Sequence, residues 1–262
     1  MLVTERLLAL GLVLLIACSM LAGLARASRT GRGPSIRRIA ALDALTEVVG
    51  RATEMGRPVH FTAGTGRLTD QSAPMMLASL DVVGRTAGLA ASYGARLLVT
   101  CADPVYHAMT TDRVRSCYTL EGRPDQFRPE DVKFLSDTQF AYAAGVIGLI
   151  EREKVAANIV VGSYGAEGLL LAEAGANAGA LQIAGTTNMN ILPFFVVACD
   201  YVLLGEEMYA AGAYLSQDKK QAATLASQDY AKLAVLLGIV LGVVTLTFGS
   251  RTLLNLLDTF GK

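Results

Sequence analysis

The sequence predicts an α/β fold: a three-layer, Rossmann-like domain with a mainly parallel sheet, flanked by N- and C-terminal transmembrane helices. Short apolar, β-branched runs alternate with longer helical stretches through the middle of the chain. This alternation is typical of a parallel sheet covered by helices on both faces. An uncharged apolar segment of membrane-spanning length lies on each side of that middle part.

The first apolar segment is Leu7–Ala25, which carries no charge and is long enough to cross a bilayer. A signal-peptidase site at Ala25–Ala27 and a lipoprotein box at Leu15–Cys18 compete with an uncleaved anchor. Only one arginine precedes the segment, whereas Arg26, Arg29, Arg32, Arg37 and Arg38 follow it. Since positive charge collects on the cytoplasmic side, this pattern favours an uncleaved anchor with the N-terminus outside.

The predicted α/β domain spans residues 35–217. It opens with a helix over Ser35–Met55, which Gly56 and Pro58 end. Six strand-like runs follow, at Val59–Ala63, Arg96–Thr100, Val132–Leu135, Ile159–Val161, Leu181–Ala184 and Tyr201–Leu204. Helical stretches follow these runs in turn, at Pro74–Ser92, Pro104–Tyr118, Thr138–Val155, Ala166–Ala174, Ile191–Ala198 and Glu206–Leu215.

A polar stretch, Ser216–Ser227, is predicted to link the domain to the second apolar segment, Leu233–Ser250. This segment is uncharged, and its Gly238 and Gly242 have the spacing that lets two membrane helices pack closely. Lysines again collect on the domain side. The chain is therefore predicted to be a two-pass protein of the cell (inner) membrane, with its α/β domain in the cytoplasm and both termini outside.

A candidate ligand site lies at the carboxyl ends of the strands, where open parallel sheets bind ligands. The turns there combine glycine with hydroxyl, amide and carboxylate groups, which favours a small polar or nucleotide-like ligand, with an anionic group near a helix N-terminus at Ser163. The candidate residues are Gly64, Thr65, Gly66, Asp70, Gly162, Ser163, Gly165, Thr186, Thr187, Asn188 and Glu206. Each of these residue types also caps helices or forms turns, so a structural explanation stands beside the functional one.

Several chemistries lack their sequence signatures. No P-loop spacing occurs, and the glycines from Gly162 to Gly168 depart from the dinucleotide-binding pattern. The two histidines and four cysteines show no metal-ligand spacing, so no metal site is predicted. His60, inside the first strand, is expected to be a core residue. Lys+Arg and Asp+Glu both number 23, so nucleic acid is not an expected partner, and neither cofactor nor catalytic residue is identified.

Three blocks, Gly56–Gly66, Ala91–Thr100 and Tyr201–Ser216, resemble an uncharacterised family of prokaryotic membrane proteins. That family is a domain of unknown function in which membrane segments flank an α/β core. The resemblance implies this topology, but it implies no activity and supplies no catalytic or binding residue.

Two functions from different classes follow. The favoured one is a membrane-anchored scaffolding subunit of a homo-oligomeric membrane assembly, because the membrane segments are rich in small residues and catalytic signatures are missing. The alternative is a membrane-tethered enzyme or sensor that binds its ligand at the strand-end rim, supported by the glycine turns and Glu206. A two-pass transporter is less favoured, since neither membrane segment carries a charge.

Overall fold

The computed structural model describes residues 37–216 and 219–247, together with residues 11, 13, 14, 17, 18 and 21. The chain divides into two compact units, one of residues 37–216 and one of residues 1–36 and 217–262. The first unit holds the α/β domain. Its elements are α1 (Ala40–Glu54), β1 (Val59–Gly64), α2 (Ala73–Tyr93), β2 (Leu97–Cys101), α3 (Pro104–Leu120), β3 (Val132–Phe134), α4 (Gln139–Glu153), β4 (Ala157–Ser163), α5 (Glu167–Asn177), β5 (Leu181–Thr186), α6 (Leu192–Ala198), β6 (Tyr201–Leu204) and α7 (Glu207–Ser216).

All six strands of the described sheet are parallel and lie in the order β3-β2-β1-β4-β5-β6. The α/β fold with a mainly parallel sheet is therefore confirmed. The strand order reverses between β1 and β4, which is the point where open α/β sheets form their ligand crevice. The register of these two strands shifts between Thr62 and Gly64, just before the crevice.

Helices pack on the sheet and on one another to enclose the core. Helix α2 packs against α1, α3 and α7, and α5 packs against α4 and α6. The strands between them are buried on both faces: Ile159 and Val160 are consecutive residues of β4 that point to opposite faces, and neither is exposed. Each such side chain contributes roughly 1.5–3 kcal/mol relative to an exposed one. The strand ends that form the crevice are therefore held by a rigid core.

Most element boundaries differ from the prediction by one to three residues, and two stretches differ more. The first helix begins at Ala40 rather than Ser35, because Ile39 is extended (φ −108°, ψ 100°). The predicted link Ser216–Ser227 is helical from Lys219 onward, since a helix α8 runs over Lys219–Thr247. This stretch is polar but rich in strong helix formers, and neither glycine nor proline interrupts it before Gly238.

The two predicted membrane segments are only partly described. Leu7–Ala25 lies outside the described residues except at positions 11, 13, 14, 17, 18 and 21, and Leu233–Ser250 is described as far as Thr247. In the described part of the chain, no helix has both the length and the apolar character needed to cross a membrane.

Candidate functional site

The ends of β1 and β4 approach each other so closely that glycine is required in both strands. A Cβ atom on Gly64, whose φ is +80°, would lie 2.1 Å from the carbonyl oxygen of Ser163. A Cβ atom on Gly162 would lie 2.0 Å from the carbonyl oxygen of Ala63. The Thr65 N–H also donates to the Ser163 carbonyl at 3.1 Å. These two predicted glycines therefore permit contact between two backbones.

Tyr164 fills the crevice at this switch point. Its side chain is 3% exposed, and its hydroxyl donates to the Thr62 carbonyl at 2.6 Å. The ring packs edge-on against Phe195, with centroids 5.5 Å apart, and lies beside Gly64. Burial raises the pKa of the Tyr164 hydroxyl well above its usual value, so the group stays protonated and can donate. A protein side chain thus occupies the space between the strands.

The N-terminus of α5 already holds a carboxylate, that of Glu167, which is fully buried. Both of its oxygens lie 3.0 Å from the Gly165 nitrogen, and it accepts the Thr65 hydroxyl at 2.7 Å and the Gln139 amide. The position that the sequence assigned to an anionic ligand group near Ser163 is therefore served by the protein itself. Glu167 was missing from the predicted site, although a glutamate in the first turn of a helix is a known capping signal.

An open groove of about 710 Å³ lies outside these strand ends. It brings together five of the predicted residues, namely Thr65, Gly66, Asp70, Ser163 and Gly165. Sequence reasoning missed its charged pair, Arg67 and Asp137, whose charged groups lie 3.9 Å apart and whose side chains are 53% and 66% exposed. Such an exposed pair contributes little to stability, so both groups are available to a ligand.

Asp70 and Ser163 differ in how their side chains are used. Asp70 accepts the Ser72 N–H at 2.7 Å and the Ser72 hydroxyl at 2.5 Å. Both hydrogen bonds lower the pKa of the Asp70 carboxyl, and the bond from the Ser72 hydroxyl has the larger effect. Asp70 therefore organises the turn before α2. The Ser163 hydroxyl, in contrast, makes no hydrogen bond to the residues described, which leaves it as a polar group of the groove.

The remaining predicted residues lie elsewhere. Thr186 and Thr187 contact the Met75 sulfur, the nearer hydroxyl at 3.3 Å. Asn188 donates its amide to the Tyr164 carbonyl at 2.9 Å and therefore braces the back of the crevice. Glu206 follows β6, two strands away from β4, where its carbonyl accepts N–H groups of the first turn of α7. Neither turn lines the groove.

A chain of buried polar side chains crosses the sheet below the crevice. It runs from Gln182 on β5 through Asn158 on β4 and His60 on β1 to Thr100 on β2. Burial is the main cause that lowers the pKa of His60 to about 4, so the ring is neutral. Its two nitrogens are both satisfied, which agrees with the core position expected from the sequence.

No group of three or more histidine, cysteine, aspartate or glutamate side chains in the described residues could hold a metal ion. The cysteines are free, and burial raises the pKa of the Cys101 and Cys199 thiols to about 12. These thiols therefore stay protonated at neutral pH and are poor nucleophiles.

Comparison with known proteins adds a family and no activity. The family model described as "Domain of unknown function (DUF6754)" matches residues 1–257. No curated protein and no solved structure matches the chain. Functional evidence therefore comes from the geometry of the domain.

Proposed function

We propose that this chain, which belongs to the family DUF6754, is a membrane-anchored scaffold subunit that assembles with copies of itself. Helix α6 is the observation that carries the proposal, because its seven residues, LPFFVVA, are all apolar. Phe194, Val196 and Val197 are 48%, 55% and 89% exposed. Single exposed apolar residues are ordinary, whereas a surface helix without any polar residue is typical of an interface.

Strand β6, which follows α6 in the chain, adds an open sheet edge to this surface. In the described sheet it pairs with β5 alone, so its outer backbone groups have no strand beside them. Its residues, YVLL, include neither the charge nor the proline that natural edge strands use against pairing. Leu204 is 51% exposed at its end. We call α6 and β6 together the edge surface.

A second copy of the chain is the partner that the edge surface fits best. A two-fold pair places the same apolar helix on both sides of the contact, which makes the surface self-complementary. Equal numbers of basic and acidic residues, 23 of each, leave no net charge to repel a second copy. The apolar and uncharged character of α6 and β6 gives a charged partner no complementary group.

Protein side chains fill the switch point between β1 and β4, and this supports a non-enzymatic role. In a dinucleotide-binding domain, the glycine turn and helix N-terminus receive the pyrophosphate. Here Tyr164 occupies the crevice and Glu167 places a negative charge at that helix N-terminus. A phosphate in the same position would meet like charge.

Anchoring in the membrane rests on the apolar segments Leu7–Ala25 and Leu233–Ser250 and on the arginines that follow the first of them. A tag placed after Lys262 tests the topology. Protease added to spheroplasts, in which the inner membrane is intact and the outer barrier has been removed, is expected to digest the tag. A tag that stays protected until the cells are lysed would contradict the two-pass arrangement.

Photo-crosslinking in native membranes tests the edge surface. A benzophenone amino acid at Val197 is expected to give a crosslinked product of twice the chain mass. The same group at Leu120, which is 84% exposed on α3, serves as the matched control and should give none. Equal products from both positions, or none from Val197, would contradict the proposal.

A second candidate is a membrane-tethered enzyme or sensor that binds a polar ligand in the groove. Its specific support is the Ser163 hydroxyl, which makes no hydrogen bond to described residues and lies in the same groove as Arg67 and Asp137. A thermal-shift panel of sugars, nucleosides and nucleotides tests it. Stabilisation that Ser163→Ala weakens and Glu206→Gln does not would support it, whereas a panel without any effect would count against it.

A further inference from the structure

A second cavity, of about 340 Å³, lies at the amino-terminal ends of the strands, whereas the groove lies at their carboxyl ends. It is bounded by the residues that lead into β2 and β3, by α3, and by the short turns Pro124–Gln126 and Pro129–Asp131. This volume falls within the range of small-molecule sites. The cavity therefore differs in place and lining from the predicted rim.

Tyr118 supplies an unused hydrogen-bond donor to this cavity. The residue is 5% exposed, and its ring packs against that of Phe127 with centroids 6.1 Å apart. Its hydroxyl makes no hydrogen bond to any described residue. Thr110 Oγ1 is the one fully buried side-chain oxygen or nitrogen without a partner in the described chain. The Tyr118 hydroxyl therefore retains access to solvent, and the cavity that it lines provides this access.

Arg128 supplies an available positive charge beside that hydroxyl. It is exposed and forms no ion pair with the residues described. Burial, followed by the charge of Asp131, raises the pKa of the Tyr118 hydroxyl, and the charge of Arg128 opposes both effects. Arg96 also lines the cavity, but it binds both carboxylate oxygens of Asp131, at 2.6 and 3.0 Å, and also Glu153 at 2.9 Å. Arg128 is therefore the cation that a ligand can use.

The remaining groups define the size and charge of the ligand. Leu97, Val114 and Phe127 give the cavity apolar walls, and Arg115 lies 5.3 Å from the centroid of the Phe127 ring on which it stacks. This stacking and the contact with Tyr118 hold the Phe127 ring in place. Asp125 lies on the same lining. Its negative charge repels a doubly charged phosphate more strongly than a singly charged carboxylate, so of the two anions the carboxylate is the better fit.

We propose that this cavity binds a small organic monocarboxylate. The carboxylate accepts hydrogen bonds from the Tyr118 hydroxyl and the Arg128 guanidinium, and the apolar part of the ligand lies against Phe127. The pairing of a carboxylate with a guanidinium and a hydroxyl uses the stronger, charge-assisted class of hydrogen bond. This site does not depend on the edge surface or on the groove.

Fluorine NMR of 4-fluorobenzoate, titrated with the full chain, tests the proposal. Wild-type protein is expected to broaden and shift the signal, and Tyr118→Phe and Arg128→Gln should each weaken binding about tenfold, the effect of one hydrogen bond to a charged group. Matched controls are Tyr209→Phe and Arg51→Gln, which remove the same groups from exposed positions on α7 and α1, away from the cavity.

Two further probes test the charge of the ligand. 4-Fluorobenzamidine, the cationic analogue, should not bind, and inorganic phosphate should not displace 4-fluorobenzoate. Circular dichroism confirms that each variant is folded. The proposal is overturned if 4-fluorobenzoate does not bind, if both cavity variants bind it as the wild type does, or if the cation binds equally well.

Discussion

His60 Nδ1 lies 2.8 Å from Asn158 Oδ1 in the middle of the sheet. The Asn158 amide nitrogen donates to Gln182 Oε1 at 3.0 Å, which turns its oxygen toward the histidine. That oxygen accepts the Nδ1–H, so the other ring nitrogen accepts the Thr100 hydroxyl at 3.0 Å. Both contacts fit a neutral ring, which is the form that burial favours.

The stability of the domain should therefore fall in mild acid. Burial, opposed by the hydrogen bond with Asn158, lowers the pKa of His60 from 6.5 to about 4. Between these values the unfolded chain binds a proton that the folded protein excludes, so the free energy of unfolding decreases as the pH falls. Over the whole window the loss is about 3 kcal/mol. Urea denaturation across this pH range measures it.

Two histidine variants make this test specific. His60→Gln should remove this part of the pH dependence, whereas His107→Gln, at a half-buried position on α3, should retain it. If both variants keep the wild-type slope, His60 is not the group responsible.

Glu167 is predicted to stabilise the turn after β4 through its charge. In the wild type, the Glu167 carboxylate accepts hydrogen bonds from donors that include the Gly165 N–H and the Gln139 amide. Glu167→Gln keeps the size of the side chain but replaces one acceptor oxygen with an amide N–H₂, which is itself a donor. The expected loss is about 2–4 kcal/mol in the free energy of unfolding. Glu173→Gln, on the exposed side of the same helix, should change it by less than about 0.5 kcal/mol. Equal values for the two variants would argue against this role.

Gly64 is predicted to be required by close contact as well as by its backbone conformation. Gly64→Ala would place a Cβ atom 2.1 Å from the Ser163 carbonyl oxygen, so the ends of β1 and β4 must separate. We expect a loss of more than about 4 kcal/mol, or failure to fold. Gly122 has a similar φ of +72° but open space around it, so Gly122→Ala should lose only about 1–2 kcal/mol. Thermal denaturation of the two variants separates contact from conformation.

The succession of strands and helices along the chain could largely be predicted from sequence, because buried parallel strands are continuous apolar runs. Tyr201–Leu204 has the predicted bounds, and Val59–Gly64 differs by one residue. The spatial order of the strands could not be predicted, since alternation of strands and helices is common to several parallel-sheet folds.

The use of the turn residues was harder to predict. Thr65 and Gly165 have the composition of a ligand turn, yet their polar groups are taken by Glu167. Whether an N–H group is free or capped depends on the rotamer of a glutamate two residues away, and this is set by packing with Gln139 on another helix. Residue type alone carries no information about that contact.

The mass of the full chain in detergent, measured by light scattering over a range of concentrations, tests the scaffold proposal most directly. We expect the wild type to associate, and Val197→Glu to weaken association at least about thirtyfold, because a charge would be buried in an apolar contact. Leu120→Glu, the control at another exposed apolar position, should leave association unchanged. A wild-type protein that stays a single chain at every concentration, or a Val197→Glu variant that associates as strongly as Leu120→Glu, would contradict the account.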